Sequence, residues 1–113
     1  IFRDTRGRAI LLSWIPGWAY AGYRERDIGC MSVPSEITVN EGKICAYPIE
    51  EVRQFLKSSD SSLVRTQDGF RILREGRDDV VYRGELKQLL CIRDGDVLEV
   101  FVNGGEEVYT ALL

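Results

Sequence analysis

From Asn40 onward the chain is cut at short intervals by turn signals, and between them lie only short runs of β-forming residues. Asn40-Glu41-Gly42, Asp68-Gly69, Glu75-Gly76, Asp94-Gly95-Asp96 and Asn103-Gly104-Gly105 each offer a residue that tolerates positive φ where a chain can reverse. This spacing predicts an antiparallel all-β sandwich or barrel of roughly eight to ten short strands with one short helix.

The stretches between the turns fill in the pattern. Residues 8–15, RAILLSWI, form an apolar run bounded by Gly7 and Pro16-Gly17, as expected of an interior strand buried on both faces. Residues 16–27 carry no period and are expected as a long loop. In residues 28–39, IGCMSVPSEITV, Pro34 cannot donate to a ladder, so two short strands should meet there. After the turn at Asn40-Glu41-Gly42, residues 43–47 return as the second strand of a hairpin. Pro48 suits the first turn of a helix, with Ile49, Val52, Phe55 and Leu56 following at helical spacing and Glu50 and Glu51 near its positive end. Strands are expected around residues 63–66, 70–74, 80–83 and 85–93, and residues 97–113 should close the chain as a β-hairpin.

A length of 113 residues allows one compact core. The formal charge of -3 and pI near 5.0 provide no basic footprint for phosphate, which argues against nucleic acid as a partner. With no histidine, Ser-His and Cys-His couples and imidazole metal ligands are excluded, and any catalysis would rest on carboxylates. Cys30, Cys45 and Cys91 are widely spaced without a C-x-x-C; buried free thiols are expected, with no metal site and no cofactor. The longest apolar run stops at Ser13, so no membrane span is expected. Without a secretory leader pattern, a soluble protein is expected, with the cytoplasm favoured. The chain starts at Ile1 and its single methionine is Met31, which reads as a processed product or a piece of a longer chain.

Four stretches, in order, resemble the C-terminal end of glycoside hydrolase family 32, the invertases, levanases, inulinases and sucrose-6-phosphate hydrolases. Residues 7–14, GRAILLSW, with Trp18 beyond, are similar to the family's G-R-R-I-x-I-G-W-x-x-x-W, a late strand of its catalytic propeller. Residues 31–37, MSVPSEI with Pro34 and Glu36, resemble the M-S-L-P-R-E-L that leads into the family's β-sandwich. Residues 47–52, YPIEEV, are similar to the helix that follows. Residues 94–110, carrying Glu99, Phe101, Asn103 and Thr110, resemble the closing D-x-S-x-x-E-V-F-V-N-D-G-x-x-x-x-T hairpin. Ser13, Ser35 and Gly104 depart from the family's glycine, arginine and aspartate, and Ser35 thereby lacks a cation that could pair across the domain boundary.

The resemblance implies a shortened, jelly-roll-like antiparallel β-sandwich in residues 28–113. Residues 1–27 are then a leftover propeller strand and linker. A retaining glycosidase needs two carboxylates about 5 Å apart. The family takes them from W-M-N-D-P-N-G and E-C motifs, aided by an R-D-P arginine, and this sequence contains none of the three. The chain is therefore expected to lack catalytic residues and to support the catalytic propeller of a parent or partner chain. Dimerisation through bare strand edges is also expected.

Trp14 stands where the family's tryptophan walls the sugar pocket, which implies contact with sucrose or fructan, against core packing as the plain alternative. A free-standing fructan-binding module would use Trp14, Trp18 and Tyr20 as its stacking surface, although Trp18, Tyr20 and Tyr23 equally fit surface bared by a missing domain. Glu50 and Glu51, adjacent on a helix, do not face each other and read as a solvated helix start. Asp94, Asp96 and Glu99 only loosely resemble a calcium loop, and both aspartates read as turn formers. For Glu99 and Asn103 the simplest role is hydrogen bonding to neighbouring strands.

Overall fold

A computed structural model describes residues 1–15 and 30–113; the expected loop, with Trp18, Tyr20 and Tyr23, lies outside the described residues. The strands are β1 (Phe2–Arg3), β2 (Ala9–Leu11), β3 (Trp14–Ile15), β4 (Cys30–Met31), β5 (Ser35–Asn40), β6 (Lys43–Pro48), β7 (Leu63–Thr66), β8 (Gly69–Ile72), β9 (Val80–Arg83), β10 (Leu89–Asp94), β11 (Val97–Val102) and β12 (Glu107–Leu112). They pair antiparallel in the orders β1-β2-β5-β6, β3-β4, β7-β8-β9 and β10-β11-β12. The protein is all-β, as its turn spacing predicts.

Where the turns were clear, the register follows them. Glu41 and Gly42, with φ of 50° and 78°, turn β5 into β6 so that Asn40 opposes Lys43. Two consecutive positive φ values give the backbone twist that a tight hairpin requires.

Three expectations need correction. The apolar run at residues 8–15 is not one interior strand: β2 and β3 belong to different sheets, and Leu12, Ser13 and Trp14 between their buried ends are exposed. Pro48 does not open a helix but closes β6, buried and opposite Ser35. The helix that follows, Glu50–Phe55, is a 3₁₀ helix with no buried residue, and Val52 N–H donates to the Ile49 carbonyl at 3.0 Å. Polar contacts hold it: Arg53 donates to the Pro48 carbonyl at 2.8 Å and lies over the Tyr47 ring. The third correction is Cys30, which is exposed while Cys45 and Cys91 are buried.

The meanders β7-β8-β9 and β10-β11-β12 supply one apolar core. Phe70, Ile72 and Tyr82 from the first pack with Leu89, Cys91, Leu98, Val100, Val102 and Ala111 from the second. Phe70 stacks on Tyr82 at 5.1 Å between centroids, and Tyr109 meets both rings edge-on, a geometry favoured by the ring quadrupoles.

Unlike a strand of a two-layer sandwich, β11 is buried continuously from Leu98 to Val102. Leu98, Val100 and Val102 enter the core between the meanders. Glu99 and Phe101, on the opposite face by strand alternation, meet the N-terminal half instead. Phe101 lies edge-on to Tyr47 at 6.0 Å, and Glu99 accepts the Val33 N–H at 2.8 Å. The β10-β11-β12 sheet is thus a middle layer between the β7-β8-β9 meander and the N-terminal strands.

Candidate functional site

The middle layer's second face carries the one buried acid among the described residues. Cross-strand register puts Ile92, Glu99 and Thr110 in one row, and Asp94, Val97 and Leu112 in the next. Glu99 is only 6% exposed, and its Oε2 takes the Val33 N–H. Burial pushes the Glu99 carboxyl above the usual range; the Val33 hydrogen bond opposes this, and the nearby charge of Asp94 adds to it.

Glu99 lines two clefts. The larger, about 460 Å³, lies between residues 55–60, β10 and the start of β11. Val33, Phe55, Ile92 and Val97 give it apolar walls, while Lys57 and Asp94 also line it. The smaller, about 230 Å³, runs over Thr110 and Val108 toward Ser35 and Ala46. At the larger cleft's edge, Arg93 is bound to Asp60 at 3.2 Å and to the Gly95 carbonyl at 3.0 Å.

The other motif residues form joints between segments. Asn103 has φ 50° and turns β11 into β12; its Oδ1 accepts the N–H groups of Lys87 and Gln88 at 2.7 and 3.0 Å, and its Nδ2 donates to the Glu85 carbonyl at 2.8 Å. One side chain thus fixes the segment entering β10. The Pro34 carbonyl accepts the Ile49 N–H at 3.1 Å, and Glu36 pairs with Ile10 and Tyr47 in the N-terminal sheet. Trp14 is 53% exposed, opposite the exposed Met31. It stands apart from the Glu99 clefts, whose lining does not include it.

An ion cluster that sequence reasoning missed is centred on Arg8, whose side chain is 14% exposed. Arg8 holds Asp4 at 2.7 Å and grips Glu51 with two bonds of 2.9 Å, joining the β1-β2 turn to the 3₁₀ helix. The Arg8 guanidinium keeps the Glu51 carboxyl down at about 2. Glu51 is therefore not merely part of a solvated helix start, whereas Glu50 is 70% exposed in the first turn. Nothing in the spacing announces a partner for Arg8 so far along the chain.

Among the described residues no group of His, Cys, Asp or Glu is arranged to hold a metal ion, and no helix is long and apolar enough to cross a membrane.

Layered antiparallel sheets make this an all-β protein of the β-sandwich class by fold. No family model and no curated protein matches the chain. Among solved structures, a glycoside hydrolase family 32 structure from Bifidobacterium adolescentis matches 99% of this chain with a TM-score of 0.69 at 21% identity. The chain spans 26% of that protein's length, so the two share a fold over a part of the larger chain.

Proposed function

We propose that this chain is the C-terminal β-sandwich portion of a β-fructosidase-like glycoside hydrolase, with residues 28–113 as the sandwich and residues 1–27 as the end of the propeller and its linker. Its role is structural support, and it does not hydrolyse glycosidic bonds by itself. The observation that carries this reading is the fold match across 99% of the chain to part of a family 32 structure. The ordered motifs around Trp14, Pro34, Glu50 and Asn103 support it independently. Phe2, Leu12, Trp14 and Met31 expose apolar surface on and between the N-terminal strands, which suits a face that a propeller covers.

The test is to co-express the chain with a family 32 catalytic propeller deprived of its own sandwich. A stoichiometric complex that hydrolyses sucrose, beside an inactive isolated chain, is the expected result. A propeller that stays insoluble or unbound in the presence of this chain defeats the proposal. The exposure of Trp14 favours a second reading, a fructan-binding module. That reading requires saturable quenching of tryptophan fluorescence by levan oligosaccharide, lost in Trp14→Ala.

A further inference from the structure

The Glu99 carboxylate is half used. Its Oε2 takes the Val33 N–H, whereas Oε1 has no hydrogen-bond partner among the described residues. No fully buried polar side-chain atom is left unpaired among those residues, so Oε1 keeps some access to the two clefts that Glu99 lines, although Glu99 itself is more than nine-tenths buried. An acid held this way seeks a donor, since an apolar surround makes an unmet acceptor costly.

The rest of the larger cleft narrows what that donor can belong to. Its volume of about 460 Å³ is that of a small-molecule site, and its walls at Val33, Phe55, Ile92 and Val97 require carbon surface. Phe55, one of the lining residues, is 56% exposed. Lys57 and Asp94, neither in an ion pair among the described residues, add one strong donor and one strong acceptor, while Arg93 and Asp60 satisfy each other. A monocation would meet Lys57, and an anion would meet Glu99 and Asp94. A neutral ring bearing several hydroxyls meets every condition: its hydroxyls donate to Glu99 and Asp94 and accept from Lys57, and its C–H face lies on the apolar wall.

We propose that the cleft bounded by Phe55, Val97 and Glu99 binds one monosaccharide ring, with Glu99 Oε1 accepting a ring hydroxyl. The site is separate from Trp14 and does not rest on the support role proposed above, so either proposal can fail without the other.

The test is an amide NMR titration of the full chain with D-fructose, with n-butylammonium as the cationic comparison. Saturable shifts at Val33, Lys57, Asp94 and Val97 are expected with fructose. Glu99→Gln and the surface change Phe55→Ala should each weaken binding roughly tenfold, the scale of losing a charge-assisted hydrogen bond or one wall of a small site. Unchanged amide spectra away from the cleft identify the variants as folded. The assignment is overturned if fructose shifts none of these amides, if its shifts cluster elsewhere, or if n-butylammonium saturates the cleft and fructose does not.

Discussion

The Gly105 carbonyl accepts the Ala46 N–H at 2.9 Å, and the approach is so close that a methyl group on Gly105 would overlap the Ala46 carbonyl. This bond ties the closing hairpin to β6. Gly105 also has φ 91°, a backbone state that L side chains rarely adopt, so two separate constraints select glycine here.

Gly105→Ala should therefore cost more than backbone strain alone, roughly 3 kcal/mol or above. Gly104→Ala is the control, because Gly104 has φ 71° but open space around it; about 1–2 kcal/mol is expected. Urea denaturation of both variants checks this. Equal losses would mean that the contact with Ala46 contributes nothing.

Asn103 should be costly to replace. Asn103→Ala removes three side-chain hydrogen bonds to residues 85–88 and places alanine at positive φ, for a loss of about 2–4 kcal/mol. Asn103→Gly relieves the φ term while still deleting the bonds, so its loss should be smaller. If the glycine variant matches the parent in thermal melts, the side chain is not the tie described above.

The two perturbed glutamates should respond to pH in opposite directions. Glu99 has a raised folded pKa, so its ionisation opposes folding: its site is most favourable below the usual glutamate range, and that stability is lost as pH rises through the folded value. Glu99→Gln, which retains an acceptor for Val33, should melt higher than the parent at pH 7, with the difference closing on acidification. A lower Tm for the variant at neutral pH contradicts this.

Glu51 works the other way. Held at about 2 by Arg8, it contributes stability that is present above the usual value of 4.5 and is lost as pH falls toward 2. Glu51 is half exposed, so the effect is small and screened by salt. Glu51→Gln should lower Tm slightly at low ionic strength and indistinguishably at high ionic strength. A salt-independent loss would point to packing in place of charge.

Much of the β-architecture was legible because turn chemistry is local. Asn40-Glu41-Gly42, Asp94-Gly95-Asp96 and Asn103-Gly104-Gly105 announce their reversals in adjacent residues, and the strands between them follow. The misreading at Pro48 has a physical reason. Ile49, Val52 and Phe55 recur every three residues, the period of a 3₁₀ helix, and none is fully buried, so no apolar face exists to sustain an α-helix. The Arg8 cluster and the burial of Glu99 were not legible, since both depend on segments brought together from distant parts of the chain. A glutamate in a strand ordinarily marks the solvent face. Only a third layer over β11 makes Glu99 an interior residue.

That β11 is buried on both faces also orders events during synthesis. The β5-β6 hairpin and the β7-β8-β9 meander need only near neighbours in sequence and can form as they emerge. Both lack a surface to close against until residues 97–102 have been made, because a single late strand completes the two interiors. Until then Phe70 and Ile72 remain open to water and to other chains. The interval just before β11 is released is accordingly when a ribosome-bound chain of this sequence is most prone to aggregate, and most in need of a holding chaperone.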